Sequence, residues 1–189
     1  AGVRTELTSV ELTKLMGNGI NLGNTMEAYG HASLGTGAAV SSYETLWGQP
    51  VTTQEMITAM KNSGFDTIRI PVAWTNKMNF ESGDYTISED WFARVEEIVG
   101  YDMNETMYVI INDHWDGGWY GMFGSESSET RALAMEAYKG MWQQIAERFR
   151  DYSDYLIFES ANEELGGRVD ENSPLYCSDS VVTYLTDDE

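Results

Sequence analysis

The sequence predicts an α/β fold of parallel strands joined by crossover helices. Two observations carry that expectation. Short apolar, β-branched runs alternate with longer segments whose apolar residues recur at helical spacing. Polar side chains then gather at the carboxyl end of each short run, where α/β folds place their sites.

The elements follow in order. Thr8-Ser-Val-Glu11 has the form of a capping box ahead of Leu12, Leu15 and Met16, and Gly17 stops that helix. Ile20 to Gly23 reads as a first short strand. Thr25 to Pro50, rich in Gly, Ser and Ala, reads as an elaborated loop. Thr52-Thr-Gln-Glu55 reads as a second capping box, followed by Met56, Ile57 and Met60 at helical spacing and a stop at Gly64. Asp66-Thr-Ile-Arg-Ile-Pro71 is a second strand. Ser88, with Glu89 and Asp90 in the first turn, opens a helix whose buried face is Trp91, Val95, Ile98 and Val99. Met107-Tyr-Val-Ile-Ile111 is apolar throughout, as a strand covered on both faces should be. A long helix from about Ser128 to Arg150 carries Ala134, Tyr138, Met141, Ile145 and Phe149 on one face. Tyr155-Leu-Ile-Phe158 is the fourth strand.

Asn24, Arg69, Asn112, His114, Asn162 and Glu163 lie within these strands or just past their ends. Every strand contributes, which favours a barrel mouth over a single crevice in an open sheet. A complete barrel has eight strands and roughly 200 to 250 residues. Four strands in 189 residues amount to half of one.

Composition narrows the function. The formal net charge is -20, from 31 acidic and 11 basic residues. Such a chain repels phosphate backbones and anionic lipid surfaces, so neither nucleic acid nor a membrane is expected as partner. No apolar run is long enough for a membrane span. The lone cysteine, Cys177, forms no intrachain disulfide, and with two histidines no metal site is expected. No glycine-rich loop matches a dinucleotide or P-loop pattern, and no cofactor is expected. A neutral polymer such as a polysaccharide fits this balance.

Five strings, in order along nearly the whole chain, resemble glycoside hydrolase family 5 cellulases, above all the endoglucanase, xyloglucanase and lichenase subgroup. They are Asn21-Leu-Gly-Asn-Thr25, Trp47-Gly-Gln-Pro50, Thr67-Ile-Arg-Ile-Pro-Val72, Ile111-Asn-Asp-His114 with Asp116-Gly-Gly-Trp119, and Phe158-Glu-Ser-Ala-Asn-Glu163. The resemblance implies a (β/α)8 barrel that cleaves β-1,4-glucan with retention, without cofactor. It implies roles by position. Glu163 matches the acid/base glutamate and Asn162 the asparagine that bonds the sugar 2-hydroxyl. Arg69 matches the arginine that supports the nucleophile, and His114 the histidine on the floor of the site. Asn24 and Trp119 match positions facing the glucan. Trp115 stands where a second histidine is common and is a further substrate-binding candidate. Ile20 replaces a frequent Trp, and Glu164 a frequent Pro. Asn24 also reads as a simple turn residue, Trp119 as loop packing, and Arg69 as one half of an ion pair. Glu159 reads as a supporting group.

The chain is therefore expected to be one truncated catalytic domain, residues 1–189, with 165–189 an acidic loop or tail. The family's nucleophile belongs to a seventh strand, so the expectation is an enzyme fragment, inactive or weakly active alone. Thr186-Asp-Asp-Glu189 reads as a capping box at a cut. A half barrel has two open sheet edges, which implies a homodimer closing an eight-stranded ring. A β-glucan-binding or purely structural half barrel is the alternative. A mature secreted protein lacks its signal peptide, so an extracellular location is expected.

Overall fold

The computed structural model describes residues 3–80 and 83–162. Four strands form one sheet: β1 (Gly19–Asn21), β2 (Thr67–Ile70), β3 (Tyr108–His114) and β4 (Leu156–Asn162). Their order is β1-β2-β3-β4, and every neighbouring pair is parallel. A doubly wound sheet reverses its strand order at a switch point. This sheet steps in one direction only, as barrel strands do.

Helices α1 (Ser9–Leu15), α4 (Gln54–Asn62), α5 (Glu89–Asn104) and α6 (Ser128–Phe149) frame the strands, with short α2 (His31–Leu34) and α3 (Val40–Glu44) between β1 and α4. The alternation along β2 sets the layers. Ile68 and Ile70 are fully buried, while Arg69 between them is only partly so. The apolar side faces a core to which α5 contributes Trp91, Val95, Ile98 and Val99, and α6 contributes Met141, Ile145 and Phe149. Each such fully buried side chain stabilises the fold by about 1.5–3 kcal/mol.

Several sequence expectations shift. The segment after β1 is anchored: Met26, Ala28, Tyr29 and Tyr43 are buried. Within it, the Glu44 carboxylate accepts from Thr52 N–H at 2.7 Å and from both Arg94 Nε and Nη2. That buried ion pair fastens the segment to α5. The second capping box is displaced by one residue. Thr53, not Thr52, is the N-cap of α4, and its hydroxyl accepts from Met56 N–H. Thr52 instead lies one residue before the cap, with its N–H engaged by Glu44. Ser88 is the N-cap of α5, but its hydroxyl donates to Asp90 instead of accepting from the helix. The box at Thr186 to Glu189 lies outside the described residues.

The Thr8–Glu11 box forms in both directions. Because α1 buries no residue, its loss is expected to stay local. Thr8→Ala should cost about 1 kcal/mol and raise amide exchange over residues 9–15 about fivefold. The global unfolding midpoint should not move.

Candidate active site at the strand ends

The site starts from Arg69. It lies opposite Asn21 on one side and Ile110 on the other. Its guanidinium donates twice to Glu159, Nε to Oε2 at 2.7 Å and Nη2 to Oε1 at 2.6 Å. Nη2 also donates to Asn162 Oδ1 at 2.8 Å, and Nη1 reaches Asn21 Oδ1 at 3.4 Å. One arginine thus joins β1, β2 and β4. The fork geometry suits a bidentate carboxylate, and these charge-assisted bonds are the strong ones. Arg69 holds the Glu159 carboxyl below its ordinary pKa, with help from Asn112.

Asn112 is fully buried on β3. Its Oδ1 accepts from Val72 N–H at 3.3 Å, so its Nδ2 points at Glu159 Oε1 and His114 Nδ1, both at 3.2 Å. An irregularity follows: the β3–β4 register shifts between Asn112 and His114, which brings His114 opposite Asn162. Such bulges re-aim side chains beside sites. His114 Nε2 then lies 3.4 Å from Asn162 Nδ2. The imidazole is bracketed by two asparagine amides, each oriented by a second partner. Four of the expected residues and one supporting group therefore converge: Arg69, Asn112, His114 and Asn162 around Glu159.

Asn24 is exposed after β1, in a left-handed conformation (φ 62°) that asparagine tolerates. Its N–H and that of Thr25 donate to the Glu27 carboxylate. Glu27 is 5% exposed. Burial pushes its pKa up, against the opposing pull of those backbone donors and of Arg69. Asn24 is thus a turn residue whose side chain is still open to a ligand.

Trp119 is a correction. Expected to face the polymer, it is 1% exposed. Its indole N–H donates to Asp113 at 3.2 Å, and its ring packs on Tyr120 and Phe123. The 3₁₀ segment Asp116–Gly124 is interrupted at Gly117 and Gly118, and the chain turns the ring into the core. Trp115, just before this segment, is half-buried, with its ring edge-on to Tyr29 at 5.7 Å. Beneath it, Asp116 is fully buried. Its carboxyl accepts from Thr75 N–H at 2.9 Å and from the Thr75 hydroxyl, and Asp113 is a further hydrogen-bond partner. Burial pushes the Asp116 carboxyl up, against the opposing pull of its hydrogen bonds to Asp113 and Thr75. Glu163 and Cys177 lie outside the described residues. Among the described residues no cluster could hold a metal ion, and no helix is long and apolar enough to cross a membrane.

Known proteins carry the same arrangement of strands. The profile of the Cellulase family, glycosyl hydrolase family 5, matches residues 28–184. The chain belongs to that family. Among curated family 5 relatives, Endoglucanase A of Ruminococcus albus is 41% identical over 163 residues, covering 86% of this chain and 42% of the relative. The xyloglucan-specific endo-beta-1,4-glucanase of Bacteroides ovatus is 40% identical over 158 residues, covering 84% of this chain and 30% of the relative. A solved broad-specificity endoglucanase of Ruminococcus champanellensis with bound cellotriose superposes with a TM-score of 0.78 at 34% identity. That match covers 87% of this chain and 46% of the other. The chain thus spans less than half the length of these relatives. Its four sequential strands are half of a family 5 (β/α)8 barrel.

The roles of three site groups escaped the sequence reading. Asn112 was placed at a strand end but given no role, although a lone amide in an apolar strand, two residues before His114, shares its face. Glu27 lies three residues after Asn24, the spacing at which a carboxylate reaches back to a turn N–H. Asp116 stood in the Asp116-Gly-Gly-Trp119 string without a role, because its partner Thr75 is 41 residues away.

Proposed function

We propose that this chain is the acid/base-bearing half of an endo-acting β-1,4-glucanase, with cellulose, mixed-linkage glucan or xyloglucan as the substrate class. The observation that carries the reading is the Arg69–Glu159–Asn162–His114 constellation at the strand ends of a family 5 half barrel. The endoglucanase names of its relatives agree with it.

The chemistry follows from what glycoside cleavage requires. A retaining enzyme uses two carboxyl groups about 5–5.5 Å apart, one as nucleophile and one as acid, then base. Glu163, next to Asn162, is the acid/base. Asn162 is oriented by Arg69 and offers its amide to the sugar 2-hydroxyl, a contact that tightens in the transition state. The nucleophile comes from the strand-seven position of a complete barrel, and hydrolysis depends on it. The location is extracellular, because a glucan polymer does not enter a cell.

The test is sugar release from soluble β-glucan by this chain, with Glu163→Gln beside it. No release from either protein is the expected result, with activity restored only when the complementary half is present. Release by the parent but not by Glu163→Gln would place a second carboxylate in an assembly of this chain.

A second reading keeps glucan binding without hydrolysis. The exposed Asn24 and half-buried Trp115 beside the site favour it. Affinity electrophoresis in β-glucan tests it, and unretarded migration would count against binding. Closure of the ring by a second copy is the third element of the proposal. It is supported by Phe158 on β4, which is 44% exposed. Light scattering that gives the monomer mass would remove it.

A further inference from the structure

Four consecutive residues after β3 have positive φ: Trp115 (53°), Asp116 (47°), Gly117 (74°) and Gly118 (73°). Glycine accepts this without cost, but Trp and Asp do not. With ψ at -54°, Trp115 sits near the rare γ-turn geometry of positive φ. Such conformations persist only where the surroundings over-determine them, and they collect at functional sites.

The surroundings here can be named. Trp115 N–H donates to Asn162 O at 3.2 Å, and Gly118 N–H donates to Trp115 O at 2.6 Å. The Asp116 carboxyl takes both the N–H and the hydroxyl of Thr75, in the 3₁₀ segment Trp74–Lys77 after β2. Gly117 lies so close to Tyr29 that a Cβ there would stand 2.6 Å from the ring. Tyr29 also meets the Trp115 ring edge-on. The turn is therefore gripped from the loops after β1 and β2, and by the end of β4.

We propose that Asp116 is a positioning residue whose buried carboxyl latches this turn to the loop after β2, and so holds the Trp115 ring, edge-on to Tyr29 just past the end of β3, as an aromatic wall for a glucosyl ring. The wall's ligand rests on the β-glucan reading above; the latch does not. An amide at position 116 keeps one acceptor oxygen where the carboxyl offers two to the N–H and hydroxyl of Thr75, and presents an N–H group in place of the second.

The experiment is ¹⁹F NMR of the chain labelled with 5-fluorotryptophan, with Trp115→Phe assigning one of the six lines. Asp116→Asn and Thr75→Ala are expected to shift and broaden the Trp115 line, while the core Trp91 line holds its position. Thr75→Ser should restore the parent spectrum. Cellotetraose should move the Trp115 line in the parent, with the half-saturating concentration about tenfold higher in Asp116→Asn. If Asp116→Asn collapses all six lines, the Thr75→Ala and Thr75→Ser pair decides. An unmoved Trp115 line in the folded variants overturns the latch. A Trp115 line that responds to Asp116→Asn but not to cellotetraose keeps the latch and overturns the wall, and with it counts against the glucan reading.

Discussion

Arg69→Met is expected to lower the stability of the fold by about 2–3 kcal/mol. The guanidinium makes two bonds to Glu159 and one to Asn162. Its removal takes both arginine bonds from the Glu159 carboxylate, leaving it the Asn112 amide among the described residues, and takes one from the Asn162 oxygen. Removing one partner of a fully buried pair costs about 3–5 kcal/mol. Here the side chains are 18% and 33% exposed, so water recovers part of that penalty. A urea titration checks it: the midpoint should fall with the slope unchanged. The partner substitution sharpens the test. Glu159→Gln alone strands the cation, and the double variant should be less destabilised than the sum of the two, with a coupling of about 1–3 kcal/mol. The pH dependence has a definite sign. Arg69 depresses the Glu159 pKa in the folded state. The pair's contribution is therefore complete above the unfolded carboxylate value, about 4.3, and is lost as pH falls through the lower folded value. Arg69→Met should lack this acid-side loss. Under the glucan reading, the same variant should also lose retardation in a β-glucan gel, because Asn162 is no longer held.

How much of this site could be read beforehand depended on the range of the interaction. The strand ends were legible because period-two burial and parallel topology put Arg69, Asn112, His114 and Asn162 at one rim. Glu159 was legible as a support, since a carboxylate inside a strand needs a partner. The identity of that partner, 90 residues away, was not. Trp119 failed because sequence shows an aromatic in a glycine-rich loop but not which way the loop turns. Gly117 and Gly118, both at positive φ, decide that. The order within 25–50 escaped for a similar reason. Composition announced a loose loop, while Glu44 reaching Thr52 and Arg94 fixed it. The starts of α1, α4, α5 and α6 were read to within a residue, while α2 and α3 lay inside the segment read as a loop.

The largest pH effect is expected from a residue far from these loops. Asp102, on α5, is fully buried, and neither carboxylate oxygen has a hydrogen-bond partner among the described residues. Burial alone pushes its pKa up to about 8. No cation offsets it, so the folded state carries it protonated at neutral pH. For an acid whose folded pKa is raised, the unfolded chain releases the proton first. Between the unfolded value, about 3.9, and about 8, the unfolded state binds fewer protons than the native state. Stability therefore falls as pH rises through that window and levels off above it. The full difference is on the order of 5 kcal/mol, comparable with the whole stability of a small domain. Asp102→Asn keeps the shape and removes the titration. It should therefore be near neutral at pH 4, where parent and variant both bury an uncharged group, and should be stabilising by several kcal/mol at pH 8. Thermal unfolding of both proteins at pH 4, 6 and 8 measures this directly. Parallel midpoints across the three would mean that Asp102 finds a compensating donor in the native state.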